Sequence, residues 1–156
     1  MFEKKDYIVS GSFGVCRVEK VTKLVVGREG QMEYYVLQSV KDTKKKSYIP
    51  VENPKTVLRF PMEETLAKEL VANFSTQKEE LKNSRFTLED GREMLEGAEP
   101  AEWAKGAAYY MIYHREMDEQ LREVFEKICD HFLMELAFVF KKNVEELRDK
   151  LETALY

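Results

Sequence analysis

The sequence predicts an α+β architecture: a small, strongly bent antiparallel β-module followed by an all-helical C-terminal domain. Three observations carry this reading. From position 6 to about position 60, short runs rich in Val, Ile and Tyr alternate with glycines and polar turn residues, as strands joined by tight turns do. Beyond Pro61 the β-branched residues thin out and Leu, Glu, Lys, Ala and Met take over, a composition that favours helix. Pro50, Pro54 and Pro61 sit at the change and mark the end of the sheet, because proline cannot donate to a β-ladder. The expected domains are therefore 1–61 and 62–156. A chain of 156 residues with 44% hydrophobic content can fill a core in each.

Element by element, the strand signatures are YIV (7–9), VCRVEKVTKLVV (15–26), EYYVLQSV (33–40) and SYIPV (47–51), with Gly11, Gly14, Gly27, Gly30 and the polar run 41–46 as punctuation. Four or five strands in about 55 residues imply a bent sheet or partial barrel. A first helix is predicted over 62–71, followed by a loop-rich or partly helical stretch over 73–86. Thr87, with Glu89, Asp90 and Glu93 after it, reads as a helix start with acids in the first turn, and that helix stops near Gly97. Pro100 opens the next helix, which runs through Trp103, Ala107, Tyr110 and Met111 to His114. Last comes an apolar stripe from Leu121 to Leu155 at steps of three and four, about nine turns long unless KKN (141–143) interrupts it. Trp103 reads as a core residue, and the stripe as buried packing in preference to a ligand cleft or dimer seam.

The net charge of -4 hides a split. Residues 1–60 hold twelve Lys and Arg against seven Asp and Glu, and the remainder holds thirteen against twenty-two. An acidic second half argues against a strong nonspecific grip on nucleic acid, which needs many cations to neutralise phosphates. No apolar run is long enough for a membrane span and the first residues lack secretory-signal features, so the cytoplasm is the default compartment.

Catalytic patterns are missing from the sequence. Cys16 and Cys129 stand far apart, outside any CxxC pair, and read as reduced core residues. Cys129 and His131 are spaced i, i+2, about 200° apart on a helix, and cannot share a metal there. GSFG (11–14) lacks the Lys-Ser/Thr of a phosphate loop and reads as a tight β-turn. No enzyme activity and no cofactor are expected.

The segments DYIVSGSFGVCRVEKV (6–21), EYYVL (33–37), YIPVEN (48–53) and VLRF (57–60), in this order and spacing, resemble the N-terminal module of the CarD family, also called CdnL. These are RNA-polymerase-binding transcription regulators whose module recurs in transcription-repair coupling factor. MDEQLREVFEKICDHFLMELA (117–137) resembles a helix of the family's C-terminal domain, so the likeness spans nearly the whole chain. It implies a Tudor-like or SH3-like β-module docked on the polymerase β subunit. It also implies a helical domain laid weakly on promoter DNA at the upstream edge of the bubble, where a family tryptophan wedges into the minor groove.

On this resemblance, Lys23 lies near a position where the family uses arginine toward the β subunit, and Tyr48 where a second arginine is often found. Lys46, with Lys44 and Lys45, sits on the same candidate edge strand, where lysines also serve simply to keep an edge soluble. NSRF (83–86) falls at the wedge segment, so Ser84 stands where the family has tryptophan. Phe86 is either a substitute wedge or a hydrophobic staple for the helix at Thr87. Arg85, with Lys82 and Arg92, is placed to touch phosphates without reading bases. Rival readings are an adaptor that binds polymerase without DNA, and a self-associating scaffold built on the long apolar stripe.

Overall fold

The computed structural model describes residues 1–156 except positions 26, 28, 29 and 53. It divides into two compact units, Met1–Pro61 and Met62–Tyr156. The class is α+β, as the sequence predicts: a five-stranded antiparallel sheet, then a helical region.

In the first unit the strands are β1 (Tyr7–Ser10), β2 (Gly14–Val25), β3 (Gln31–Ser39), β4 (Lys46–Pro50) and β5 (Leu58–Arg59), in the spatial order β4-β3-β2-β1-β5. The last residue of the predicted 15–26 strand lies outside the described residues. Residues 11–13 turn the chain between β1 and β2. The Ser10 hydroxyl accepts the amides of Ser12 (3.3 Å) and Phe13 (3.2 Å), and Gly14 takes the left-handed φ of 73° that closes the turn. GSFG is thus a tight β-turn.

Along β2 the register against β3 shifts between Val18 and Lys20, leaving Glu19 as an extra residue. Such a bulge bends the strand and resets which side chains face inward. Val18 precedes it and Val21 follows it on the same side, so that Ile8, Cys16, Val18, Tyr35, Leu37 and Ile49 form one core, with Phe2, Phe13, Val21, Val51 and Leu58 packed against it.

Of the three prolines that the sequence reading set at the end of the sheet, Pro61 is the one that follows the last strand, in agreement with a boundary near residue 61. Pro50 closes β4 opposite Tyr34, and β5 follows Pro54, pairing Leu58 and Arg59 with Ser10 and Val9 of β1. The reason is topological: the chain returns to the far side of the sheet, where Gly11 N–H donates to Val57 O at 3.2 Å, and only Pro61 ends the pairing.

The second unit contains α1 (Glu64–Ala72), α2 (Gln77–Glu80), α3 (Leu88–Gly97), α4 (Pro100–Tyr113), α5 (Glu119–Phe140) and α6 (Val144–Ala154), with 3-10 turns at Phe74–Thr76 and His114–Glu116. The helix predicted from Met62 starts two residues later. The Met62 amide is held instead by the buried carboxylate of Glu135, which accepts it at 2.7 Å. Thr87 and Asp90 form a reciprocal capping box at the start of α3. Glu99 caps α4 and Pro100 occupies its first turn, where a missing amide costs nothing.

The long stripe is two helices. Lys141 adopts a left-handed φ of 55° and Asn143 caps α6 by accepting the amide of Glu145 at 2.7 Å, so KKN (141–143) is a C-cap, a link and an N-cap. Folding back at this point buries Phe125, Ile128, Phe132, Leu136, Leu147, Leu151 and Leu155 inside one unit. Most of the stripe is therefore internal packing. Trp103 is fully buried, its indole N–H shared between the carbonyls of Met94 (3.0 Å) and Leu95 (3.3 Å) at the end of α3. Small residues on α4 let α5 approach closely: a Cβ on Gly106 would lie 2.7 Å from Ile128 Cγ2.

Candidate functional site

β4 is one edge of the sheet. Its hydrogen-bonding parity follows from two bonds that flank it: Ser39 N–H donates to Lys45 O and Val51 N–H donates to Glu33 O, each at 3.0 Å. In an antiparallel pair, bonded and non-bonded rungs alternate. Ser47 and Ile49, with the Lys45 carbonyl and the Val51 amide on either side, therefore direct their backbone groups inward to β3, and Lys46, Tyr48 and Pro50 direct theirs outward. Lys46 and Tyr48 offer an N–H and a C=O each, and Pro50 a C=O alone. An incoming strand would find a short ladder, centred on Lys46 and Tyr48 and limited by proline at one end.

The side chains of these two residues lie on the face away from the core, since Ile49 between them is buried. Tyr48 is 55% exposed. Lys46 Nζ sits 3.0 Å from the Glu19 carboxylate, so the bulge residue of β2 reaches across to the edge strand. Register places Arg17 and Gln38 in one row with Lys46, and Lys20 and Val36 in one row with Tyr48. Arg17 and Lys20 escape a reading by simple alternation because the bulge between them moves Lys20 onto their common face.

Lys23 is exposed, but it is not part of this group. It pairs with Glu33, and the alternation through Val21 and Tyr35 sets it on the opposite face, beyond the end of the core. The structure thus joins Lys46 with Tyr48 and leaves Lys23 apart.

In the second unit, Lys82, Arg85 and Arg92 are exposed and Ser84 and Phe86 are half-buried. The segment is clamped to α4 by two tyrosines: Tyr113 Oη–H donates to Leu81 O at 3.0 Å, and Tyr109 Oη accepts the Phe86 amide at 3.2 Å. Phe86 lies edge-on to Tyr109 with centroids 4.7 Å apart and stacks on Phe125 at 6.1 Å. Its ring packs on α4 and α5. The staple position on its own helix is Gly91, which has no side chain to meet it. Arg85 Nη1 donates to the carbonyl of Ser84 at 2.9 Å. Beside Arg85 and Phe86 opens a shallow groove completed by Asp90, Glu93, Met94 and Glu102, so three carboxylates border the one arginine.

Both cysteines are buried, and burial pushes each thiol up to about 12, leaving them neutral and poor nucleophiles. Among the described residues no group of three His, Cys, Asp or Glu side chains is placed to hold a metal ion, and no helix is long and apolar enough to cross a membrane. What this geometry presents is a bounded strand edge with an aromatic and cationic face beside it, suited to recognising another backbone.

No curated protein matches the chain. Residues 2–61 match the model of the CarD-like/TRCF RID domain family, a span that covers all five strands. By this match the sheet unit of the chain is similar to the CarD-like/TRCF RID domain.

Proposed function

We propose that this chain is a bacterial transcription regulator that docks on the RNA polymerase β subunit by adding a strand of the partner to the β4 edge, and so modulates initiation. The observation that carries the reading is the parity of β4: outward backbone groups and outer-face side chains coincide at Lys46 and Tyr48, inside the domain that matches the family. Arg17 and Lys20 add positive charge to the same face, which favours an acidic partner surface and fast encounter. The role is non-enzymatic, needs no cofactor and belongs in the cytoplasm with the polymerase.

Retention of RNA polymerase by the immobilised full chain tests it. Tyr48→Pro removes an outward N–H without touching an inward bond, and is expected to lower retention by at least about tenfold, the weight of one backbone hydrogen bond plus a tyrosine contact. Lys23→Glu, on the other face, is expected to leave it within about twofold. Equal retention by wild type and Tyr48→Pro, with the fold intact by circular dichroism, would reject strand addition.

A second reading has the helical unit touching promoter DNA through Lys82, Arg85 and Arg92 beside Ser84 and Phe86. Three exposed cations speak for it. The ring of Phe86 already rests on Tyr109 and Phe125, and the carboxylates of Asp90, Glu93 and Glu102 border Arg85. A wedge must leave its own packing before it can unstack a base step, and phosphate is repelled by such a rim. These observations favour the adaptor form of the proposal, in which the helical unit does not grip DNA.

A further inference from the structure

The two halves of the chain carry opposite charge excess, yet the cations of the second unit are dispersed among acids: on α3, Arg92 is flanked by Glu89, Glu93 and Glu96, each one to four residues away. In the first unit they converge. The β3–β4 hairpin tip reads Thr43-Lys44-Lys45-Lys46, and all four residues are exposed. Lys46 is paired with Glu19, whereas among the described residues neither Lys44 nor Lys45 forms an ion pair.

The tip is not a loose loop. Asp42 N–H donates to the Ser39 hydroxyl (3.2 Å), Lys44 N–H to Asp42 Oδ1 (3.1 Å), Lys45 N–H to Asp42 O (2.9 Å), and Gln38 Nε2 to Thr43 O (2.8 Å). The one carboxylate in the tip is thus directed at the Lys44 amide, and with the Asp42 carbonyl it holds the turn in shape. Two unpaired ammonium groups stand on a fixed backbone.

We propose that this hairpin tip is a phosphate-contacting surface for duplex DNA, with Lys44 and Lys45 as its principal ligands and Thr43 beside them. Lysine is a compact point charge suited to phosphate, while the cores of protein interfaces are depleted in it and enriched in tyrosine and arginine. Residues 41–46 contain no aromatic side chain, so the tip offers no stacking platform for a single strand. With no side-chain amide or guanidinium group in residues 41–46 to read a base edge bidentately, the contact is sequence-tolerant. Two or three neutralised phosphates give weak binding alone. They gain weight when a protein contact elsewhere holds the tip near DNA, through effective concentration.

The test is fluorescence anisotropy of a labelled 30-base-pair duplex of random sequence with the full chain, titrated from about 20 mM salt upward, where each phosphate contact contributes about 0.9 to the log–log salt slope. Wild type is expected to bind with a slope near 2 to 3. Lys44→Gln/Lys45→Gln is expected to weaken binding at least about tenfold and flatten the slope by about 2. Lys82→Gln/Arg85→Gln, on the second unit, is expected to change neither. Polymerase retention by the tip variant is expected to stay at the wild-type level, which separates this surface from the β4 docking edge. The proposal is overturned if wild type shows no salt-dependent duplex binding, if the tip variant binds as wild type does, or if the tip variant loses polymerase and not DNA. A preference for a single strand over the duplex would overturn it as well.

Discussion

At the scale of single residues, space decides more than chemical type. Gly106 is helical and has no unusual φ, so nothing local demands glycine there. The demand comes from Ile128, whose Cγ2 would stand 2.7 Å from an added Cβ. Gly106→Ala is expected to destabilise the second unit by about 1–2 kcal/mol, the overpacking cost less the gain in helix propensity, measured as a lower urea midpoint. An unchanged midpoint would mean that Ile128 swings aside freely. Trp103 belongs to the same account. Its helical periodicity is visible in the chain, but the sharing of its indole N–H between two α3 carbonyls depends on α3 ending where it does. Phe86 illustrates the limit: one aromatic before a helix start fits a wedge or a packing residue equally, and the rings of Tyr109 and Phe125, more than twenty residues away in sequence, settle where it rests.

At the scale of elements, caps and turns were the most legible features, because their signals are local. Thr87 and Asp90, Glu99 with Pro100, and Asn143 each carry the polar atom that their own helix start needs. The C-terminal end of α5 is less well matched. Lys141 sits at φ 55°, a conformation that costs a side chain and suits glycine. Lys141→Gly is expected to raise stability by about 0.5–1 kcal/mol, read as a higher thermal midpoint, and a fall would show that the lysine side chain contributes more than its backbone strain removes. β2 is the counter-example. Its residues read as one long strand, and the bulge at Glu19 that turns Lys20 outward and Val21 inward has no glycine or proline to announce it.

At the scale of the whole molecule, the chain is two units with separate cores. The sheet core draws on Ile8, Cys16, Val18, Tyr35, Leu37 and Ile49, and the helical core on Phe74, Trp103, Phe125, Ile128, Phe132 and Leu136. Glu135, buried in the second, holds the first amide of its own unit at Met62. Residues 62–156 alone are therefore expected to unfold cooperatively on heating, with loss of the near-ultraviolet signal of buried Trp103 coinciding with loss of helix. Non-coincident transitions would show that this core is incomplete by itself. The opposite charge excess of the two units is the molecular feature with most consequence for partners, since it puts the cationic surfaces on the sheet unit.

Composition and periodicity by themselves determined the class, the order of sheet then helices, most element positions, the caps of α3 and α4, and the buried reading of Trp103 and both cysteines. Each rests on neighbours within a turn or a strand, so the information is written where it acts. Tertiary structure alone decided that β5 returns beyond Pro54 to pair with β1, that the bulge gathers Arg17, Lys20, Lys46 and Tyr48 on one face, that Lys23 lies on the other, and that Phe86 spends its ring on Tyr109 and Phe125. These depend on register and on close approach between segments distant in sequence. A one-residue shift in register reverses every face without altering any local propensity.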